Sequence, residues 1–438
     1  MNKKIISIIT LLLISFNFLS CNLIEEKPLS EIEEIITITS DDESSIRQAT
    51  FKLWKQGGIV YIDTPVINFK EQGSLSVTGF LKGGIVGIKQ PNGEYPRLNF
   101  KEQRDNATYY NSGIDVVGSN KIIKNLIIEN AGRYGIFING QKNTFDHVIT
   151  RYNGDSGIFI SSDCDSNTFN YCFSYRNFNF LDNTVKAEGF SVEIGVNNNV
   201  FNYCFAWDNG QNGFGFKYWN GKSKEGTLTY THSASWNNGN IDVFSGKYDF
   251  DNGKTLDKNL RTIQAIITSD ENFEDNYNNK KFNLKNALIN SKSANEYFSS
   301  YSETDGGNGF DFGDEKCSNT PSNIRIADYC VAFEHKSKGF NNNKSKDFTG
   351  SFTNCVGFNN NMNYELPYSF SKWSNNWSWG SEKEDQFDLE VYVKEPSNTK
   401  TANRKFNSIK EQIIKAVYSN TILDDINFDK TIKSLYEK

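Results

Sequence analysis

Six stretches of the chain repeat one alternation of polar and apolar positions: DHVITRYN at Asp146, NYCFSYRN at Asn170, NYCFAWDN at Asn202, THSASWNN at Thr231, DYCVAFEH at Asp328 and TNCVGFNN at Thr353. In this frame Val148, Cys172, Cys204, Ser233, Cys330 and Cys355 are equivalent. Three positions on come Arg151, Tyr175, Trp207, Trp236, Phe333 and Phe358, and two further on come Asn153, Asn177, Asn209, Asn238, His335 and Asn360. The last row predicts an asparagine ladder at a turn, where Asn tolerates left-handed backbone and stacked amides bond from coil to coil. A second strand opens at a recurrent glycine: Gly113, Gly135, Gly157, Gly189, Gly213, Gly309 and Gly339, the first three spaced by 22 residues. Such a period, with two-residue alternation inside it, fits one coil of a parallel β-helix, which buries its inner face only by stacking on the next coil. Residues one and three after the glycine (Ile136 and Ile138, Phe190 and Val192, Phe214 and Phe216, Phe310 and Phe312) point inward. The residue before it and those two and four after it line the outer face.

This register places the four cysteines at one inward position, as stacked small thiols rather than a disulfide set or a metal site. His147 and His232 share the place of Tyr171, Tyr203 and Tyr329, and His335 replaces a ladder Asn, so none reads as a catalytic histidine. A β-helix needs covered ends. Ile46, Ala49, Thr50, Leu53 and Trp54 form a helical stripe stopped by Gly57 and Gly58, which predicts an N-terminal cap helix. Phe406, Ile409, Ile413, Ile414 and Val417 form another stripe, which either closes the far end or packs on the side. From about 240 to 305 a polar, weakly helical insertion interrupts the repeat beside the outer face, as a surface excursion or as a lid.

Composition changes this picture little: aromatics at 14% exclude a disordered chain, and many Asn, Gly and Ser suit an all-β fold of short strands. The net charge of -6, spread without a basic block, excludes nucleic acid as a partner. Residues 1–20 carry Lys3, Lys4 and the apolar run IISIITLLLISFNF, the pattern of a signal peptide. LSC ending at Cys21 resembles a bacterial lipobox with Phe18 where Leu is usual, which predicts lipid attachment at Cys21; plain cleavage and release is the alternative. The expected organisation is a signal peptide (1–20), a lipidated tether (21–40), the β-helix (41–375) and a C-terminal helical cap or tail (376–438). The expected setting is the bacterial cell envelope, facing outside the cytoplasm, as a monomer held to the membrane by its lipid.

Residues 55–370 resemble polysaccharide lyase family 9 through NAGRYGIFINGQKNTF, NGDSGIFISS, AEGFSVEIGVNNNVFNYCFAWDNGQNGFGF, GGNGFDFG and HKSKGFNNN. The resemblance implies a single-stranded right-handed parallel β-helix that acts on acidic polysaccharide by β-elimination. It also implies calcium, to neutralise the uronate carboxylate, and a lysine base to take the adjacent carbon-bound proton. Carried over by position, the aspartate of the family's A-D-G-F motif falls on Glu188, the one remaining carboxylate calcium candidate. The D-D-G-x-D group falls on Gln211, Asn212 and Gly215, and the lysine of G-N-G-F-K falls on Asp311. The outer face is expected to gather Asp155, Ser156, Glu188, Glu193, Gln211, Asn212, Lys217, Asn308, Asp311, Lys338 and Asn341 into one groove. Lys217 or Lys338 would replace the missing base, unless each only pairs with Glu193 or Asp311. Glu188 and Asp311, about two coils or on the order of 10 Å apart, form an alternative hydrolytic pair. A glycan-binding lipoprotein without catalysis, and an adhesive or structural β-helix, remain open beside the enzyme.

Overall fold

The computed structural model describes residues 34–71, 73–79, 81–105, 111–178, 187–193, 198–217, 226–240, 306–313, 323–345, 348–366, 370–387, 390–423, 426 and 428–436. The expected signal peptide, Cys21, the tether up to residue 33 and the insertion from residue 241 onward lie outside the described residues.

Two parallel sheets, of ten and nineteen strands, form the body. One coil can be followed from Gly135. Ile136–Asn139 lies in the ten-stranded sheet, and Thr144–Arg151 supplies two short runs of the nineteen-stranded sheet before Gly157 opens the next coil. Ile136 pairs with both Ile114 and Ile158, Phe190 with Ile158, and Phe214 with Phe190. The residues expected to point inward are buried. Because the register is in phase, their rings lie over one another: Phe190 on Phe214 at 4.8 Å, Phe214 on Phe310 at 4.6 Å and Phe310 on Phe340 at 5.2 Å, all nearly parallel. Cys172, Cys204, Cys330 and Cys355 are buried free thiols at their common inward position.

The asparagine ladder is present. Asn153 donates through Nδ2 to Asn177 Oδ1 (2.9 Å), Asn177 likewise to Asn209 (2.9 Å), and Asn209 to Asn238 (3.0 Å). Its backbone differs from expectation: the left-handed residue is the one before each ladder position, namely Tyr152, Arg176, Asp208, Asn237, Glu334 and Asn359, with φ between 51 and 58°. That corner turns the following side chain inward, where an amide can bridge the gap between coils. A second left-handed row, His147, Tyr171, Tyr203, His232 and Tyr329, is unusual for bulky side chains. Ring stacking at 4.7 to 5.3 Å offsets part of that cost of roughly 1–2 kcal/mol per residue. A second ladder, Asn143, Asn167 and Asn199, bonds along the next corner.

Four helices are described: α1 (Glu43–Gln56), α2 (Lys101–Asp105), α3 (Thr399–Tyr418) and α4 (Phe428–Lys433). Helix α1 starts at Asp42, whose carboxylate accepts from Ser44 N and Ser45 N, and ends at Gly57 with φ 73°. It inserts Ile46, Ala49 and Leu53 into the first coils as the cap, whereas Trp54 stays 44% exposed, so the stripe is narrower than the sequence suggested. The β-helix begins earlier than expected. Ile35–Ile38, assigned to the tether, pairs in parallel with Gly58–Ile62. It also runs further, through Trp377–Trp379 and Gln386–Phe387, past the expected boundary at 375.

The C-terminal helices pack on the side rather than over the end. The row Tyr175, Trp207, Trp236, Phe333, Phe358 and Trp379 is outward and apolar, with successive rings 4.5 to 5.7 Å apart. Water contact along that row would cost heavily, and α3 removes it: Phe406, Ile413 and Val417 are buried against the row, with Phe406 5.2 Å from Phe358. Arg151 pins the end of α3 by donating to Val417 O (3.4 Å) and Asn420 Oδ1 (2.9 Å).

His335 makes the stability of the ladder depend on pH. It sits in the ladder with Nδ1 accepting from Asn238 N and its own N–H donating to Asn360 Oδ1, and burial pushes its pKa down to about 3. The folded value lies below the unfolded value of about 6.5, so the unfolded chain binds the proton first and stability falls as pH drops from about 6.5 towards 3. His335→Asn, the residue used on neighbouring rungs, should remove about 2 kcal/mol of the loss between pH 7 and 5. Urea unfolding at the two pH values measures it; an unchanged loss in the variant would exclude His335 as the cause.

Candidate functional site

The outer face of the ten-stranded sheet is ordered by its backbone bonds. Gly113 N donates to Tyr134 O, Gly135 N to Ser156 O, Gly157 N to Glu188 O, Gly189 N to Asn212 O, Gly213 N to Asn308 O and Gly309 N to Lys338 O. The residues that precede the glycines therefore form one row across successive coils. The register places a second row beside it, in which Asp115, Phe137, Phe159, Ser191 and Gly215 follow one another, and later Asp311, Asn341 and Glu365.

Glu188 is the centre of the first cluster and is only 1% exposed. Its side chain lies over the next coil because that coil has Gly215 there: a Cβ at this position would stand 1.9 Å from Glu188 Oε1. Asn212 Nδ2 donates to Oε1 at 3.2 Å, and Lys217 Nζ lies 3.6 Å from Oε2, which is buried without a hydrogen-bond partner. On the preceding coil Ser156 Oγ accepts from Glu188 N, and Asp155 Oδ1 accepts from Ser156 N at 2.7 Å. Burial raises the Glu188 carboxyl above the ordinary carboxylate range, against the opposing pull of Lys217. For Lys217 burial works against the charge, but Glu188 and Asp155 outweigh it, so the ammonium holds its proton above its usual pKa.

Tyr134 and Arg133 complete this cluster and were not singled out from the sequence. Arg133 Nη2 donates to Tyr134 Oη (2.9 Å), its guanidinium stands 4.4 Å from the ring, and the ring stacks on Phe159 at 4.3 Å. Burial, then the charge of Asp155, pushes the phenol up to about 12. The signal was available: Tyr134 precedes Gly135 as Glu188 precedes Gly189, and Phe159 follows Gly157 by two. Glu193 and Gln211 flank the cluster; Glu193 accepts from Ser162 N at 2.9 Å.

Asp311, Asn341, Lys338 and Asn308 form a second cluster. Asn341 Nδ2 donates to Asp311 Oδ1 (3.3 Å), Lys338 Nζ contacts Glu365 Oε2 (2.5 Å), and Lys338 N donates to Asn308 Oδ1 (3.0 Å). The expected lysine partners are thereby corrected: Lys217 pairs with Glu188 and Lys338 with Glu365, not with Glu193 or Asp311. The single groove divides into two clusters. The coil bearing Asn212 and Gly215 separates Glu188 from Asp311, and Asn212 links the two sides by accepting from Asn308 N at 2.9 Å. Asp311 is 4% exposed, with Oδ1 accepting from Asn341.

The family described as "Pel9A-like, right handed beta helix region" matches residues 38–255. The chain is a pectate lyase-like right-handed β-helix. It is similar to pectate lyase L of Paenibacillus polymyxa (strain SC2), 28% identical over 149 residues that make up 32% of this chain and 31% of that protein, so less than a third of the relative is spanned. Among solved structures it resembles pectate lyase Pel9A, with TM-score 0.55 and 16% identity over 85% of each chain. A rhamnogalacturonan lyase gives TM-score 0.48 and 15% identity over 82% of this chain and 84% of that one.

The pectate lyase-like face does not fit calcium at the position that the resemblance implies. Of that ligand set only Glu188 keeps a carboxylate, and the Lys217 ammonium already stands against it. Gln211, Asn212 and Gly215 bring no charge, and the described residues hold no group of three or more His, Cys, Asp or Glu placed to share a metal ion.

Removing one partner of the Glu188–Lys217 pair leaves a buried charge uncompensated. Lys217→Met should cost about 3 kcal/mol, and the double variant with Glu188→Gln should cost clearly less than the two single losses added. Chemical denaturation of the four proteins reads the coupling; strict additivity would mean that the two side chains do not act as a pair.

Proposed function

We propose that this pectate lyase-like chain cleaves an acidic polysaccharide by β-elimination on the outer face of the ten-stranded sheet, with Glu188 and Lys217 at the reacting uronate. We also place it at the bacterial envelope, anchored through Cys21. The observation that carries the reading is the buried Glu188 carboxylate, paired with Lys217, at the place of the A-D-G-F aspartate. Elimination needs positive charge against the uronate carboxylate and a base for the neighbouring C–H. Lys217 supplies the charge and, being held protonated, is not the base. Glu188, raised by burial, is a stronger base than an exposed glutamate and takes the proton. The C–H electron pair then forms the carbon–carbon double bond as the bond to the glycosidic oxygen breaks, and that oxygen is protonated by water. Arg133 beside Tyr134 offers a second cation for an adjoining uronate.

One observation favours a binding role without cleavage: Glu188 is almost fully enclosed, with Oε1 held by Asn212. The two readings separate in one assay. Protein lacking residues 1–21 is mixed with polygalacturonate and other polyuronates, with calcium and with chelator, and unsaturated uronate is followed by ultraviolet absorbance. Cleavage is expected on at least one polymer, lowered about 100-fold or more by Glu188→Gln and little changed by Asp311→Asn. Binding by calorimetry with no absorbance rise on any polymer would overturn elimination and leave a glycan-binding protein.

A further inference from the structure

We infer that Lys217 is a built-in cation that does the work of a divalent metal ion on this face, neutralising Glu188 and Asp155 and presenting positive charge to a uronate carboxylate. Three features point to it. The ammonium lies 3.6 Å from Glu188 Oε2, an oxygen that is buried and has no hydrogen-bond donor, as expected where a point charge rather than a directional donor balances the carboxylate. The Lys217 side chain keeps 26% of its surface exposed, against 2% for Glu188, so the pair lies at the edge of the outer face with the lysine on the solvent side. Gly215 removes the side chain that would otherwise stand between the two coils and lets Glu188 reach across to the coil that carries Lys217.

The charge count agrees. Asp155 and Glu188 are 7% and 1% exposed, and two carboxylates at this depth require compensation. Asp155 acts on the same ammonium, whereas the charge of Arg133 acts on Asp115 at the edge of the cluster, so Lys217 is the cation that answers Glu188 and Asp155. A divalent ion against Glu188 would have to displace the ammonium. Removing the ammonium leaves two buried carboxylates without their cation, hard oxygen donors of the kind that calcium takes.

The inference rests on the proposed outer-face site for its location only, and its test reads cation binding rather than cleavage, so the two can fail separately. Full-length mature protein and the variants Lys217→Gln, Lys217→Ala and Lys217→Arg are melted with and without millimolar calcium, and titrated with terbium, whose luminescence is sensitised by nearby tyrosine. The native protein and Lys217→Arg are expected to show no calcium-dependent shift in Tm. Lys217→Gln and Lys217→Ala should melt several degrees lower, regain at least half of that loss with calcium, and give a terbium signal that Glu188→Gln abolishes. Lys217→Gln keeps the length of the side chain and provides the comparison if Lys217→Ala does not fold. Calcium binding by the native protein that depends on Glu188 would overturn the inference, as would Lys217→Gln or Lys217→Ala variants with no more cation response than the native protein.

Discussion

The hydrogen bonds that run along the helix axis hold each coil in register with the next, and every other feature follows from that repeat. At a coil spacing of about 4.8 Å, equivalent residues lie directly over one another. A slip of one residue would move the inward row to the outer face. The constraint rewards side chains that tolerate a copy of themselves as a neighbour: flat rings, small thiols, and amides that donate on one side and accept on the other. Phe190 to Phe340, the four cysteines and the two asparagine ladders are three solutions to the same stacking problem. It also explains how Tyr and His sit in left-handed corners, since ring-on-ring contact there repeats from coil to coil.

Charge is what such stacking tolerates least, because like charges repeated at this spacing repel. The outer face of the ten-stranded sheet breaks its own repeat accordingly. Ser156, Glu188, Asn212, Asn308 and Lys338 succeed one another in a row where no two neighbours carry the same charge. Two of the carboxylates that remain are answered by cations on adjacent coils, Lys217 for Glu188 and Lys338 for Glu365. Breaking the repeat therefore concentrates the chemistry into two compact clusters instead of a continuous charged stripe.

The two outer faces divide the labour. On the nineteen-stranded sheet the aromatic row is covered by α3 and α4, and Arg151 fastens the helix end through Val417 O and Asn420. This face contributes stability through buried apolar area. The ten-stranded sheet instead turns polar and ionic side chains away from the core, and the rigid coils beneath them fix their relative positions, the condition that a preorganised binding or reacting site needs.

The period of 22 residues, the recurrent glycine and the two-residue alternation determined the coil, its inward row, the cysteine stack and the asparagine ladder, because those depend only on which residue lies over which. Glu188 and Lys217 were legible as outer-face residues for the same reason. Their pairing was not, since it depends on a side chain reaching across Gly215 to the next coil, a matter of distance and empty space rather than of sequence position. The division of the groove, the pairing of Lys338 with Glu365, and the packing of α3 on the flank likewise join residues far apart in the chain. Tertiary structure decided these, because long side chains choose among several neighbours on stacked coils and the repeat fixes only the backbone from which they start.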